Sequence, residues 1–236
     1  MSEYNNTASY SDAGLQSYLL KVYIKMGLGL LVTAVVAAIG YYTNLYYSFV
    51  EATSGLGLLI LFFAEIGIAI VLTRNLATLK PATANLLFYA YAAITGFTFT
   101  VILMAYNIMT VFLAFAFAAL LFGSSAIIGY TTHRDLSRFS TLMMGGLIAL
   151  MVASVVSMFV PALRNSLLIS YLGIIIFLAL TAWDMQRIKT MYLQTNGNMG
   201  GLTENLSIYG ALELYLDFIN IFLYVIRILG RNSSNN

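Results

Sequence analysis

Residues 82–132 form a run of 51 positions without one charged side chain. No water-facing surface can be built from such a stretch. A helix needs about 20 apolar residues to cross the hydrocarbon core of a bilayer, so the run is too long for one membrane helix and right for two. The polar pair Tyr106-Asn107 is the expected turn between them. The rest of the chain obeys the same rule. Of its 236 residues, 8% are charged and 61% apolar, against about 25% charged in a soluble domain. That excludes a cytosolic enzyme and a disordered chain and leaves a polytopic membrane protein.

With charges as punctuation, the sequence predicts an all-α fold of seven transmembrane helices. The spans fall at about 22–42, 55–73, two within 82–132, one within 139–163, one from 165 to Asp184 or a little beyond, and one at about 207–229. The apolar runs are continuous and lack the period of two that barrel strands require. Pro81 occupies the favoured first position of the third span, and Pro161 closes the fifth. Gly197 to Gly201 reads as a loop. Residues 1–20 are expected to be a polar cytoplasmic tail, 21–230 a single transmembrane domain and 231–236 a polar C-terminal tail. The first span is expected to stay in the protein rather than be cleaved as a signal peptide. No internal repeat points to an inverted-repeat transporter.

Other function classes fall away quickly. The chain has no cysteine and one histidine, His133, which excludes disulfides, thiolate-bound zinc and multi-histidine metal sites. A net charge of +2 gives no footprint for nucleic acid. No cofactor is expected. Ser124 and Ser125 suit helix packing, since no histidine base shares their span, and His133 suits a solvated loop. In the seven-span arrangement Lys21, Lys25, Arg74, Lys80, Arg134, Arg138, Arg187 and Lys189 lie on the N-terminal side, and Arg164, Arg227 and Arg231 on the other. Eight against three puts the N-terminus in the cytoplasm. A re-entrant seventh segment would return Arg227 and Arg231 to the inside.

Acids within hydrocarbon cost about 2.5–3.5 kcal/mol each on insertion scales, so each asks for a reason. Glu65 lies near the middle of span two. Asp184 closes the run Thr181-Ala182-Trp183-Asp184-Met185-Gln186-Arg187, where it could equally be an interfacial end beside a belt tryptophan. Span seven carries a polar stripe, with Tyr209, Glu213, Asp217, Asn220, Tyr224 and Arg227 recurring every three or four residues on one face. Such a stripe should face protein or a water-filled path, or serve as a packing seam.

The run TAWDMQRIK at 181–189, followed about thirty residues on by LELYLDFINIFLYVIRILG at 212–230, resembles the Bax inhibitor-1 family, the transmembrane Bax inhibitor motif superfamily. GYTTHRDLSRF at 129–139 and AITGFTFT at 93–100 are similar to its bacterial branch. The resemblance implies seven helices with the C-terminal one central, in the bacterial inner membrane. It implies a pH-sensitive calcium leak governed by a hydrogen-bonded aspartate pair, and by position these are Asp184 and Asp217. It also implies a late basic residue in span two, for which Arg74 is nearest, and an acid lining the path, Glu65. Two touching carboxylates share a proton and titrate as a unit. Calcium prefers carboxylate and carbonyl oxygens, which makes Asp184 and Asp217 the expected ligands, with Glu213 and Asn220 in support. If span six starts at 165, the two aspartates meet only if that helix continues past Asp184. A second reading is a non-conducting regulatory protein that binds a membrane protease or another membrane partner. A third, an intramembrane aspartyl hydrolase, lacks the glycine-aspartate motif that such proteases carry.

Overall fold

The structure is a computed structural model, and it describes residues 2–75, 78–160, 166–194 and 201–233. Among these there is no strand. The elements are α1 (Ser2–Tyr42), α2 (Leu45–Ala52), α3 (Leu56–Arg74), α4 (Pro81–Ala105), α5 (Ile108–Thr131), a 3-10 turn (Leu136–Phe139), α6 (Ser140–Phe159), α7 (Leu167–Gln194) and α8 (Gly201–Ser233). Six stretches are long and apolar enough to cross a membrane: Ala13–Tyr42, Leu56–Arg74, Pro81–Ala105, Ile108–Thr131, Leu136–Ser157 and Leu167–Gln194. The chain is an all-α polytopic membrane protein. α8 is not among the six, and it carries Glu204, Glu213, Asp217, Arg227 and Arg231 along its length.

Local chemistry explains the breaks. Pro81 opens α4, where its missing N–H costs nothing. Asn107 caps α5, its side-chain oxygen accepting from the Thr110 amide at 2.8 Å, so the expected turn at 106–107 is the observed one. Gly55, at φ 81°, ends the α2–α3 connection in the left-handed region that glycine enters without steric cost.

Two boundaries and one element differ from expectation. α1 begins at Ser2, not near residue 20, and its crossing stretch begins at Ala13. Leu15, Tyr18, Leu19, Val22 and Met26 are all buried and share one helical face, so intervening polar residues do not stop the helix. α7 runs to Gln194, past Arg187 and Lys189, whose long stems let charged heads leave an apolar layer. The short helix α2 was not foreseen. Pro161 and Arg164, and all but Gly201 of the expected loop at 197–201, lie outside the described residues.

The chain divides into two compact units, residues 1–105 with 188–215, and 106–187 with 216–236. In the first, α1 packs on α2 and α4, and α3 on α2 and α4. Gly96 of α4 lies so close to α1 that an added Cβ would stand 2.5 Å from the Thr33 carbonyl oxygen. The Thr33 hydroxyl reaches the Ala92 carbonyl at 2.9 Å and the Tyr215 hydroxyl at 2.6 Å. In the second unit, Ser125 of α5 donates to the Leu178 carbonyl of α7, so the serine serves helix packing. Gly129 meets the Ala182 backbone. Phe115 and Phe122 of α5 close on Phe218 of α8 at 5.1 and 5.7 Å. Large apolar side chains such as Ile60, Phe63, Leu120 and Leu142 point outward, while Thr95, Ser125, Thr181 and Ser207 are buried. That is the inverse of a water-soluble surface, as expected where lipid is the solvent.

Candidate functional site

Asp184 and Asp217 both belong to the second unit, and they are 5% and 4% exposed. α7 continues ten residues past Asp184, so the aspartate lies within the helix rather than at its wet end. The interfacial role considered for this segment falls instead to its neighbours. Trp183 is half-buried, and the Arg187 guanidinium sits 5.5 Å from its ring centroid.

The register of α7 against α8 follows from the rings between them. Phe177 and Tyr224 lie 6.1 Å apart, and Tyr224 also covers Gly173, where a Cβ would meet the ring at 2.5–2.7 Å. Helices joined by a short connection are antiparallel neighbours, and residues 195–200 are all that separate α7 from α8. Asp184 lies seven residues after Phe177, and Asp217 seven before Tyr224. Seven residues are about two helical turns, which returns each side chain to the face it started from. Counted from the Phe177–Tyr224 contact, Asp184 and Asp217 fall at about the same level along the two helices. α5 completes the surroundings through Phe218, next to Asp217, and through Ala182, two residues before Asp184.

The supporting residues are distributed differently. Asn220, half-buried, donates its side-chain amide to the Leu216 carbonyl of its own helix at 2.8 Å. Glu213 is half-buried and belongs to the first unit. So does Glu65, whose carboxylate accepts from the Thr95 hydroxyl at 2.8 Å. Arg74 is exposed as the last residue of α3. The polar stripe of α8 does not oppose an exposed apolar face. Leu212, Ile219 and Ile226 are buried along with Tyr209 and Asp217, so this helix is enclosed within each unit. Among the described residues no three His, Cys, Asp or Glu side chains gather as a metal site.

An all-α membrane chain with two enclosed aspartates in register now has a decisive counterpart. Residues 15–234 match the sequence profile of the family described as inhibitor of apoptosis-promoting Bax1. The chain belongs to this Bax inhibitor family. Among relatives, an uncharacterized protein of Rickettsia prowazekii is 38% identical over 219 residues, covering 93% of this chain and 91% of its own. The inner membrane protein YbhL of Escherichia coli K12 is 37% identical, with 92% and 93% covered. An uncharacterized membrane protein of Streptococcus pyogenes is 36% identical, with 94% and 96% covered.

Two features of this Bax inhibitor family chain carry no signal in the sequence. In the first unit the Lys25 ammonium bridges Glu204 at 2.7 Å and the Asn85 side-chain oxygen at 2.8 Å, joining α1, α4 and α8. The hydrogen bond from Lys25 holds the Glu204 carboxyl below its ordinary range. In the second unit the Gln186 carboxamide clasps the segment after α5. It donates to the Arg134 carbonyl at 2.8 Å and accepts from the Leu136 amide at 2.9 Å. His133, exposed in that segment, is the loop residue expected.

Proposed function

We propose that this Bax inhibitor family protein is a pH-sensitive calcium leak channel of the bacterial inner membrane, in which Asp184 and Asp217 act as one protonation unit. The observation that carries the reading is their burial at one level of an antiparallel helix pair. With one proton between them the pair is compact and singly charged. Loss of that proton would leave two like charges, which at a separation of about 4–5 Å repel by about 3–4 kcal/mol at an effective dielectric constant near 20. That is enough to shift a two-state helix packing by two orders of magnitude or more. Calcium is the cargo. Two carboxylates are fewer ligands than the six to eight oxygens of a resident site, which suits passage better than storage.

In this reading α8 is the seventh crossing, and the N-terminus lies in the cytoplasm. The excess of basic residues on that side supports the orientation, and the printed name of the relative YbhL supports the inner membrane. Asn220, one turn on from Asp217 in the same unit, is the supporting polar side chain. A second reading has support in the family description, which names inhibition of another protein. In it the chain is a non-conducting regulator of a membrane partner, such as a membrane protease. Calcium flux into liposomes holding only the purified protein, from about pH 5 to 8, separates the two. Flux that depends on pH carries the first. No flux, with a partner recovered by crosslinking in the native membrane, carries the second.

A further inference from the structure

The segment between α5 and α6, residues 132–139, holds His133, Arg134, Asp135 and Arg138. α5 and α6 themselves carry no charged residue. The segment is not a slack loop. Asp135 caps the 3-10 turn, its carboxylate accepting from the Ser137 amide at 2.9 Å and the Ser137 hydroxyl at 2.5 Å. Gln186 then grips the backbone on both sides of Asp135, at the Arg134 carbonyl and the Leu136 amide. A carboxamide bonded this way fixes the segment in position and direction at once, because one bond requires a donor and the other an acceptor.

The clasp brings three guanidinium-bearing residues to one end of the second unit. Arg134 is bonded through its own carbonyl to Gln186, and Arg187 is the next residue of α7. Arg138 follows within the 3-10 turn. All three are exposed. Asp135, the acid in the segment, accepts from Ser137 and also lies within electrostatic reach of Arg138, so the three guanidinium groups outweigh it three charges to one. The level in the membrane is set by Trp183, with Arg187 stacked over its ring. From the start of α7 at Leu167 to Trp183 is about 25 Å at 1.5 Å per residue, close to the thickness of a hydrocarbon core. An interfacial tryptophan with arginines just beyond it lies at the depth of lipid phosphates.

We propose that Arg134, Arg138 and Arg187, aligned by the Gln186 clasp beside Trp183, form a binding site for an anionic lipid headgroup. Guanidinium groups suit this ligand because their planar donors meet phosphate oxygens two at a time. The charge alone would be a topology signal. The clasp makes it a site, since it holds Arg134 next to Arg187 when an unattached loop would let them separate. The inference is independent of the calcium reading, and its test involves no flux.

The delipidated protein is titrated with phosphatidylglycerol and, separately, with phosphatidylcholine, and bound lipid is counted by native mass spectrometry. Phosphatidylglycerol should bind more tightly to the wild type. Replacing Arg134 and Arg138 together with Gln should reduce that preference by about fivefold per guanidinium. Lys80→Gln, which removes an exposed base from the first unit, should leave it unchanged. Gln186→Leu keeps every charge and releases the segment, and it should lose most of the preference too. Leu136→Pro is a second route, removing the amide donor from the loop side at a position where the first turn tolerates proline. Equal binding of the two lipids overturns the proposal. So does a preference that survives both clasp variants, which would reduce the site to net charge, or one that Lys80→Gln lowers as much. Inorganic phosphate competing as well as phosphatidylglycerol would also overturn it, by making the ligand a soluble anion.

Discussion

Gly129→Ala tests the close packing of α5 on α7 beside Asp184. A Cβ at residue 129 would press on the Ala182 carbonyl oxygen and stand 2.8 Å from the Ala182 carbonyl carbon and Cα. These are backbone atoms of α7, so no rotamer change can clear the space. Carbon atoms settle at about 3.5–4.0 Å, and restoring that separation moves α5 and α7 apart by about 1 Å. Overpacking of this kind costs about 1–3 kcal/mol. The better helix propensity of alanine returns up to about 1 kcal/mol, leaving a net loss of about 1–2 kcal/mol. For a chain of this length that lowers the melting temperature by about 2–8 °C. Trp183 adjoins the contact and is the only tryptophan, so its emission in a detergent melt reports both the midpoint and the native environment. Gly145→Ala is the control. A Cβ there meets nothing within 4 Å, and the variant should match the wild type or exceed it slightly. A Gly129→Ala protein as stable as the wild type, with unchanged Trp183 emission, would refute the close α5–α7 contact.

Three further outcomes are expected. Asp217→Asn should alter pH-dependent flux strongly and Glu213→Gln weakly, since Asp217 is buried in register with Asp184 and Glu213 is half-buried in the other unit; equal effects would mean that the whole stripe lines the path. Reporter fusions after residues 197 and 231 should report opposite sides of the membrane, and the same side for both would remove the seventh crossing. The folded-state pKa of Glu204 lies below its ordinary 4.5, so its ion pair with Lys25 stabilises the fold above that pH and fades as pH falls below it. Glu204→Gln should lower stability near neutral pH by up to about 1 kcal/mol, a partly exposed pair being screened, and should flatten acid melting curves; an unchanged acid limb would sink the assignment.

Charge punctuation and capping chemistry made much of this architecture legible. The charge-free run at 82–132 resolved into α4 and α5 with the break at 106–107, because only Asn107 there can cap a helix. The limits of α1 and α7 were not legible. Hydropathy reads a lysine or arginine as an end, whereas Lys21, Lys25, Arg187 and Lys189 ride on helices whose opposite faces stay buried. Asp184 therefore looked marginal by position and proved to be 5% exposed. Spacing suggested that the stripe of α8 faces something polar, but not that its other side is equally enclosed. The Thr95–Glu65 bond, the Lys25–Glu204–Asn85 bridge and the Gln186 clasp join residues 30 to 179 positions apart. No local pattern encodes such pairs.

The central claim is that Asp184 and Asp217 share one proton, and calcium flux against pH for the wild type, Asp184→Asn, Asp217→Asn and the double variant in liposomes tests it most directly. Groups in one titrating unit do not act additively, whereas independent sites usually do. Either single change removes the repulsion that deprotonation creates. Each should therefore flatten the profile between about pH 6 and 8, and the double variant should match the singles. Additive shifts, or a double variant that keeps the wild-type pH dependence, would contradict the shared-proton account.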